Sequence, residues 1–166
     1  MHAFEPHIPR LRRYARALVK DSHYADDLVQ DTLERACVKW HLWKTGSNLR
    51  AWLLTIMHHV FLNQLKSNAY LSKLSSLDEA GEFAHPIRHD GGMVLRDLEL
   101  ALSRLPVEQR QVLLLVGLEE LKYEEVARIL DIPIGTVMSR LARARERLHL
   151  LMEGGESNSV ALKVIK

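Results

Sequence analysis

Four arginines crowd the final helical pattern of the chain, in the stretch DIPIGTVMSRLARARERL at residues 131–148. Guanidinium groups bind phosphates and guanine edges through paired hydrogen bonds. Val137, Leu141 and Ala144 recur at helical spacing and form one narrow apolar stripe, which faces a core. The opposite face then carries mostly small or polar side chains, so this helix can lie close to a polyanion.

A second helical pattern, Tyr123 to Leu130, precedes this helix, and a very short turn separates the two. Pro133 ends it, because proline cannot continue the backbone ladder and the residue before proline leaves the α region. Two short helices about four residues apart, the second with an exposed basic face, are typical of a helix-turn-helix that enters the DNA major groove. A solvated basic face on a helical bundle is the alternative. The tight turn and the small far face favour DNA binding.

Helical periodicity continues through the rest of the chain, and no stretch is a confident strand prediction. The N-terminal part predicts three helices: one through Leu11 and Leu18, one from Ala25 to Trp40, and one from Leu49 to about Lys66, capped by Ser47 or Asn48. After a serine- and glycine-rich segment, four more are predicted at Val94 to Leu105, Leu105-Pro106 to Val116, Tyr123 to Leu130, and Gly135 to Met152. The predicted fold is all-α, with two small helical domains joined by a flexible linker. The expected bounds are domains at 1–66 and 94–153, a linker at 67–93, and a mobile tail at 154–166.

Composition limits the possible function classes. The chain has 166 residues, 47% hydrophobic and 27% charged, with a net charge of +2. The single Cys37 excludes an intramolecular disulfide, and we expect a buried thiol in a reducing compartment. We expect a cytoplasmic protein without membrane insertion, because no apolar run approaches the roughly 18 residues of a span and no signal peptide is evident. The chain shows no nucleophile–base pair, phosphate loop or metal-ligand spacing, so we expect no catalysis, cofactor or metal.

Three segments resemble one known family. LPVEQRQVLLLVGLEELKYEEVARILDIPIGTVMSRLARARERL resembles region 4 of the extracytoplasmic-function (ECF) sigma factors of bacterial RNA polymerase. ADDLVQDTLERACVKW resembles region 2.2, and NLRAWLLTIMHHVFLNQLK resembles regions 2.3 and 2.4. The resemblance covers nearly everything from Leu11 to Leu150, in the order of the family. It implies a sigma factor that directs transcription initiation at specific promoters and is controlled in response to stress or envelope signals.

The resemblance also implies which residues do what. Region 2 docks on the β′ clamp helices of core RNA polymerase, through Asp27, Leu28, Val29, Gln30, Asp31 and Glu34. The same region recognises and melts the -10 element, through a loop that captures a flipped base and a following helix: Lys44, Thr45, Gly46, Ser47, Asn48, Trp52, His58, His59, Asn63 and Lys66. Region 4 reads the -35 element as duplex, through Thr136, Met138, Ser139, Arg140, Ala142, Arg143 and Arg147.

Some of these assignments have alternatives. Trp52 lies in the apolar stripe of its helix, which favours a core role over stacking on a base. Five positions depart from the family pattern: Lys122 replaces a serine helix cap, Met138 replaces a basic residue, His58-His59 replaces arginine-asparagine, and Asn63 replaces an acid. The DNA contacts at these positions are therefore expected to differ.

The resemblance implies three partners: core RNA polymerase, through the β′ clamp helices and the β flap, promoter DNA, and an anti-sigma factor. We expect a monomer when the chain is free, auto-occluded between its two domains, or a heterodimer with the anti-sigma factor. Two other functions are possible: a sigma-like mimic that sequesters an anti-sigma factor, and a helix-turn-helix repressor that binds operator DNA as a dimer. The basic recognition helix argues against the mimic, and the N-terminal half argues against the repressor.

Overall fold

The computed structural model describes residues 2–74 and 93–164, and it describes side chains within residues 2–68 and 94–153. These ranges contain seven α-helices: α1 Ile8–Leu18, α2 Ser22–Val38, α3 Leu49–Leu74, α4 Met93–Arg104, α5 Val107–Gly117, α6 Tyr123–Leu130 and α7 Ile134–Val164. Two 3-10 turns, Glu5–His7 and Trp40–Leu42, precede α1 and follow α2. No strand occurs within the described ranges. The predicted all-α fold is confirmed.

The N-terminal half is built by packing α2 against both α1 and α3. Asp21 begins α2, because its carboxylate accepts a hydrogen bond of 2.7 Å from the backbone N–H of His23. Leu11, Leu28 and Leu53, one from each helix, are almost completely buried. Each such side chain stabilises the fold by about 1.5–3 kcal/mol relative to exposure. The apolar spacing of the sequence therefore fixes how the three helices face one another.

The helix-turn-helix of the C-terminal half joins α6 and α7 by a turn of three residues, 131–133. Helix α6 ends at Leu130, and Asp131, which caps it, adopts a left-handed conformation with φ 53°. The chain then turns back, and the N–H of Ile132 donates to the carbonyl of Ala127 at 3.0 Å. Pro133 follows and α7 begins at Ile134. The predicted bounds of α6 match the structure, because the turn residues mark both of its ends.

Two helices extend beyond their predicted ends. Helix α3 continues to Leu74, through the first eight residues of the predicted linker at 67–74, and α7 continues to Val164, through most of the predicted tail. Serine and asparagine lower helix propensity by only a few tenths of a kcal/mol each, and glycine by about 1 kcal/mol, so an established helix can pass through them. Residues 75–92 of the predicted linker lie outside the described residues, and Met93, its last residue, begins α4.

Arg110 joins the two halves of the chain. Its guanidinium group is buried at the start of the C-terminal half and donates hydrogen bonds to four carbonyl oxygens, those of Leu102, Ser103, Leu105 and Leu18. The bond to Leu18, 2.7 Å long, reaches the last residue of α1. Because the carbonyls at a helix C-terminus lack partners within the helix and carry negative partial charge, one guanidinium stabilises the ends of α1 and α4 together.

A second polar contact between the halves pairs α3 with α5. Nε2 of Gln111 lies 3.2 Å from Nδ1 of His58. Both side chains are at least half-buried, and burial together with the neighbouring His59 lowers the pKa of His58 to about 4. The neutral imidazole is therefore the form that fits this contact.

Replacement of Arg110 by lysine tests the first contact. Lysine keeps the charge but cannot present the planar fork that reaches four carbonyls. We expect R110K to lower the free energy of unfolding by about 1–3 kcal/mol, because buried carbonyls lose their donors. Urea denaturation followed by circular dichroism measures this loss. Arg104→Lys, an exposed arginine at the end of α4, is the matched control. An equal effect of both changes contradicts the role of Arg110.

Replacement of His58 by asparagine tests the second contact, because an asparagine amide reaches about the position of Nδ1 but does not titrate. The folded pKa of about 4 lies below the ordinary 6.5, so unfolding takes up a proton between these values. The stability contributed by neutral His58 is present above pH 6.5 and is lost as the pH falls toward 4. Between pH 7 and pH 5, we expect the free energy of unfolding to fall more in the unchanged protein than in H58N. The exposed His23→Asn serves as control, and parallel pH profiles for the unchanged protein and H58N contradict the prediction.

Candidate nucleic-acid interface

The outward face of α7 is open to a ligand. Val137, Leu141 and Ala144 are at most 2% exposed, which fixes the rotation of the helix. That rotation exposes Met138, Ser139, Ala142, Arg143 and Arg147, and leaves Thr136 and Arg140 half-buried at the edges. Small side chains lie at the centre of the face, so the backbone can approach a groove closely. All seven residues predicted for the -35 element lie on or beside this one surface.

The predicted polymerase-binding residues divide into two groups. Asp27, Gln30 and Glu34 are exposed on one face of α2, where Nε2 of Gln30 donates to a carboxylate oxygen of Glu34 at 3.1 Å. Leu28 and Val29 are buried in the core. The half-buried Asp31 accepts a hydrogen bond of 3.0 Å from Gln64 and so ties α2 to α3. The accessible part of this surface is therefore the row of three polar side chains, i, i+3 and i+7.

The loop of residues 44–48 is exposed throughout and has an ordered turn. Gly46 has φ +90°, a backbone conformation that glycine adopts without strain. The hydroxyl of Ser47 donates to the carbonyl of Lys44 at 2.6 Å, so Ser47 holds the turn. Oδ1 of Asn48 accepts from the N–H of Ala51 at 3.2 Å, so Asn48 is the residue that caps α3. The loop thus leads directly into the helix that carries the other predicted -10 residues.

An aromatic cluster supports this loop from the side of α2. Trp40 stacks on Trp43 with ring centroids 4.9 Å apart, and meets Phe4 edge-on at 5.2 Å and Trp52 edge-on at 6.3 Å. Trp52 is half-buried, so it packs in the domain and still presents part of its ring. The sequence prediction for this surface included Trp52 and omitted Trp40 and Trp43. Trp40 was predicted as the end of the second helix, but α2 ends at Val38, and Trp40 lies in the 3-10 turn that allows it to stack on Trp43.

The later -10 residues on α3 do not share one environment. His59, Asn63 and Lys66 are exposed, whereas His58 is half-buried against Gln111. The rings of His58 and His59 are 5.9 Å apart and tilted by 47°. No group of three potential ligands suitable for a metal occurs in the described part of the chain. In this closed arrangement, His58 is therefore separated from the exposed DNA-facing residues.

A basic cavity adjoins the loop and was missed by the sequence analysis. It has a volume of about 330 Å³ and is lined by Pro6, His7, Arg10, Asn48 and Arg50. Burial lowers the pKa of His7, and the nearby positive charges of Arg50 and Arg10 lower it further. Arg50 follows Asn48 by two positions, but His7 and Arg10 reach the site only when α1 folds beside α3. Periodicity alone could not reveal this cavity.

Glu119 is the most deeply buried acid of the described chain, at 1% exposure. A turn after α5 points it toward the N-terminal half, while Glu120, with φ 55°, remains exposed. Its two carboxylate oxygens lie 3.9 Å from Nη2 of Arg13 and 3.9 Å from Nη1 of Arg50. Burial raises the pKa of Glu119, and Arg50, Arg13 and Arg10 oppose that rise. The acid thus sits among the arginines beside the predicted -10 surface.

Two further observations concern the sequence predictions. Cys37 is exposed, so the expected buried thiol was wrong. The helical period placed Cys37 beside the buried Ala36, but the register of α2 turns it outward toward Trp40. No helix among the described residues is long and apolar enough to form a bilayer span.

Comparisons with known proteins match each half of the chain to a separate family model. Residues 4–58 match a family model described as the Sigma2 domain of PhyR, and residues 95–148 match sigma-70 region 4. The chain is similar to the ECF RNA polymerase sigma factor EcfG of Rhodopseudomonas palustris, with 35% identity over 87% of this chain and 80% of that protein.

Solved structures give the same result. The sigma factor RpoE of Bartonella quintana, solved in complex with the anti-sigma factor NepR, has a TM-score of 0.81 and 34% identity, covering 99% of this chain and 97% of that one. The anti-anti-sigma factor PhyR of the same organism has a TM-score of 0.58 and 21% identity, covering 87% of this chain and 47% of that one, which shows a shared fold alone. This chain therefore belongs to the ECF RNA polymerase sigma factors, DNA-binding regulators that direct transcription initiation at promoters.

Proposed function

We propose that this sigma factor divides promoter recognition between its halves. The N-terminal half, residues 1–66, binds core polymerase and the -10 element, and residues 94–153 read the -35 element. The observation that carries this proposal is the outward face of α7, whose basic and small side chains are exposed while its apolar stripe is buried. Two modules of modest affinity, joined in one chain, bind a promoter more tightly than either alone.

The N-terminal half contributes two surfaces that do not overlap. Asp27, Gln30 and Glu34 form an acidic row on α2 that suits a basic partner such as the clamp helices of polymerase. The loop 44–48, with Trp52 and the exposed residues of α3, offers hydrogen-bonding groups and aromatic rings to unstacked bases. Because these surfaces lie on different helices, polymerase and the melted strand can be bound together.

An anti-sigma factor is the second proposed partner. The similarity to a sigma factor solved with the anti-sigma factor NepR extends over nearly the whole chain. A protein that stabilises this closed arrangement would keep His58 covered and hold the sigma factor away from promoters. We further propose that the protein acts in the cytoplasm, where polymerase is found, and that it contributes binding rather than chemistry of its own.

A sigma-like mimic, similar to PhyR, is the competing proposal for the same fold. A mimic needs only the surface that binds the anti-sigma factor and has no use for an exposed recognition helix. Run-off transcription with purified core polymerase and a library of genomic fragments separates the two proposals. A sigma factor yields transcripts from specific fragments, whereas a mimic yields none beyond the core enzyme alone.

The recognition face gives the first prediction of this function. Arg143 is exposed on that face, and its loss should cost about 1–3 kcal/mol at the -35 element if it contacts a base. We expect R143A to reduce transcription from a selected promoter and to alter which upstream sequences are tolerated. Arg145→Ala, which removes an equally exposed arginine from the other side of α7, is the matched control. Unchanged promoter selection by R143A removes Arg143 from the recognition surface.

The acidic row gives the second prediction. We expect Asp27→Ala to weaken binding to core polymerase by on the order of 1 kcal/mol or more, as truncation of a central interface residue does. Titration of labelled sigma factor with core enzyme measures this affinity. Asp26→Ala is the control, because Asp26 lies beside Asp27 but faces Arg12 and Arg16, each 4.0 Å away. If both variants bind core enzyme equally, the row on α2 is not the docking surface.

A further inference from the structure

Three arginines of the N-terminal half surround one carboxylate of the C-terminal half. Arg10 and Arg13 lie three residues apart on one side of α1, and Arg50 lies in the first turn of α3. Glu119 enters this arginine cluster (Arg10, Arg13 and Arg50) from the turn after α5, and all three side chains act electrostatically on its carboxylate. Closure of the two halves therefore places a negative charge in a site that is built from positive ones.

The geometry does not suit a carboxylate well. Charge-assisted hydrogen bonds between guanidinium and carboxylate are about 2.7–2.9 Å long, whereas both ion pairs of Glu119 measure 3.9 Å. Neither carboxylate oxygen has a hydrogen-bond partner among the described residues, although both are buried. The cost of burying this charge is thus only partly offset. A larger oxyanion can span the gap between Arg13 and Arg50 and bond to both.

The surroundings of the arginine cluster indicate which kind of oxyanion it would bind. Arg10 and Arg50 also line the open cavity of about 330 Å³, together with His7 and with Asn48 of the exposed loop. The stacked rings of Trp40 and Trp43 flank the other end of that loop. Basic groups beside stacked aromatic rings are the combination with which proteins hold single-stranded nucleic acid. A phosphate of a DNA backbone fits this setting, with the neighbouring base near the loop.

We propose that the arginine cluster binds a backbone phosphate of single-stranded promoter DNA, and that Glu119 occupies the same site when the two halves are closed. This inference rests on the proposed function of the N-terminal half as the -10 surface. Glu119 and the phosphate compete for the same guanidinium groups, so the chain cannot hold the melted strand there without releasing its C-terminal half. The poorly bonded carboxylate itself adds little to the cost of this release.

Glu119→Gln tests this competition in the full-length protein. The amide keeps the shape of the side chain but leaves three arginines without a counter-charge, so repulsion opens the halves and frees the site. The probe is fluorescein-labelled oligothymidylate of roughly 12 nucleotides, a length within the usual site sizes. Fluorescence anisotropy at about 50 mM salt keeps phosphate contacts measurable. We expect E119Q to bind the probe up to about tenfold more tightly, if the closed state dominates the unchanged protein by a similar factor.

Glu120→Gln is the matched control. It removes the same charge from the adjacent residue, whose side chain is exposed. The gain must exceed that of E120Q and must disappear in the double variant E119Q/R50Q. Equal binding by E119Q and E120Q, or a gain that survives R50Q, overturns the proposal. If E119Q does not fold by circular dichroism, E119D replaces it, since a shorter acid withdraws the carboxylate from the arginines and should give part of the gain.

Two additional arms identify the ligand and separate this inference from the proposed function. Inorganic phosphate at about 1 mM, at constant ionic strength, should leave the gain intact, since DNA binding adds base contacts to the phosphate contact. Loss of the gain identifies a free phosphate as the ligand and overturns the proposal. Run-off transcription with the unchanged protein tests sigma function separately. Normal initiation combined with equal probe binding by E119Q and E120Q rejects only the role of Glu119.

Discussion

Burial of charge at the contact between the two halves is the constraint on which the rest of this structure depends. Arg110 and Glu119 are both buried there, at 6% and 1% exposure, but their charged groups differ in how far they are hydrogen-bonded. The guanidinium of Arg110 donates to four carbonyls, so its desolvation is well compensated. The carboxylate of Glu119 has no hydrogen-bond partner among the described residues, and its ion pairs with Arg13 and Arg50 are both 3.9 Å long. The contact of Arg110 stabilises the closed arrangement, whereas the contact of Glu119 adds little to the cost of separating the halves.

This contact covers the proposed functional surfaces unequally. The acidic row on α2, the loop 44–48 and the outward face of α7 all remain exposed when the halves are closed. His58 is half-buried, and the arginine cluster is occupied by Glu119. From the sequence, we expected the free chain to be auto-occluded between its two domains. In the structure this occlusion falls mainly on the part of the N-terminal half proposed to hold the melted strand, and polymerase can meet the acidic row before the halves separate.

The sequence predicted where the helices occur better than where they end. It also predicted the exposed surfaces better than the contacts between the two halves. Tyr123 to Leu130 was placed correctly because Pro133 and the turn before it end α6 by local chemistry. Helix α3 was predicted to end near Lys66, since its polar continuation resembles a linker, but no strong helix breaker occurs before Leu74. For Cys37, residue type indicated burial, whereas the helix register turns it outward.

The functional site divides in the same way. The face of α7 was predictable, because its stripe and its arginines lie within one helix and follow one period. The arginine cluster was not, since Arg10, Arg50 and Glu119 come from α1, α3 and the turn after α5. Nothing in a local pattern relates these three positions. Glu119 is also adjacent in sequence to a second glutamate, and only the packing of one half on the other distinguishes it from the exposed Glu120.

The buried apolar cluster includes side chains of both halves, and the polar contacts within this closure suit a chain that has to release its halves when it binds. An interface made only of apolar side chains would gain stability in proportion to its area and would respond little to a charged ligand. An interface that contains an unsatisfied carboxylate among arginines responds to any anion that bonds better, because the same guanidinium groups gain hydrogen bonds as the halves separate. A ligand shifts such an equilibrium only by its difference in affinity for the two states. A phosphate that binds only the open state supplies the whole of that difference, so strand capture and opening become one equilibrium.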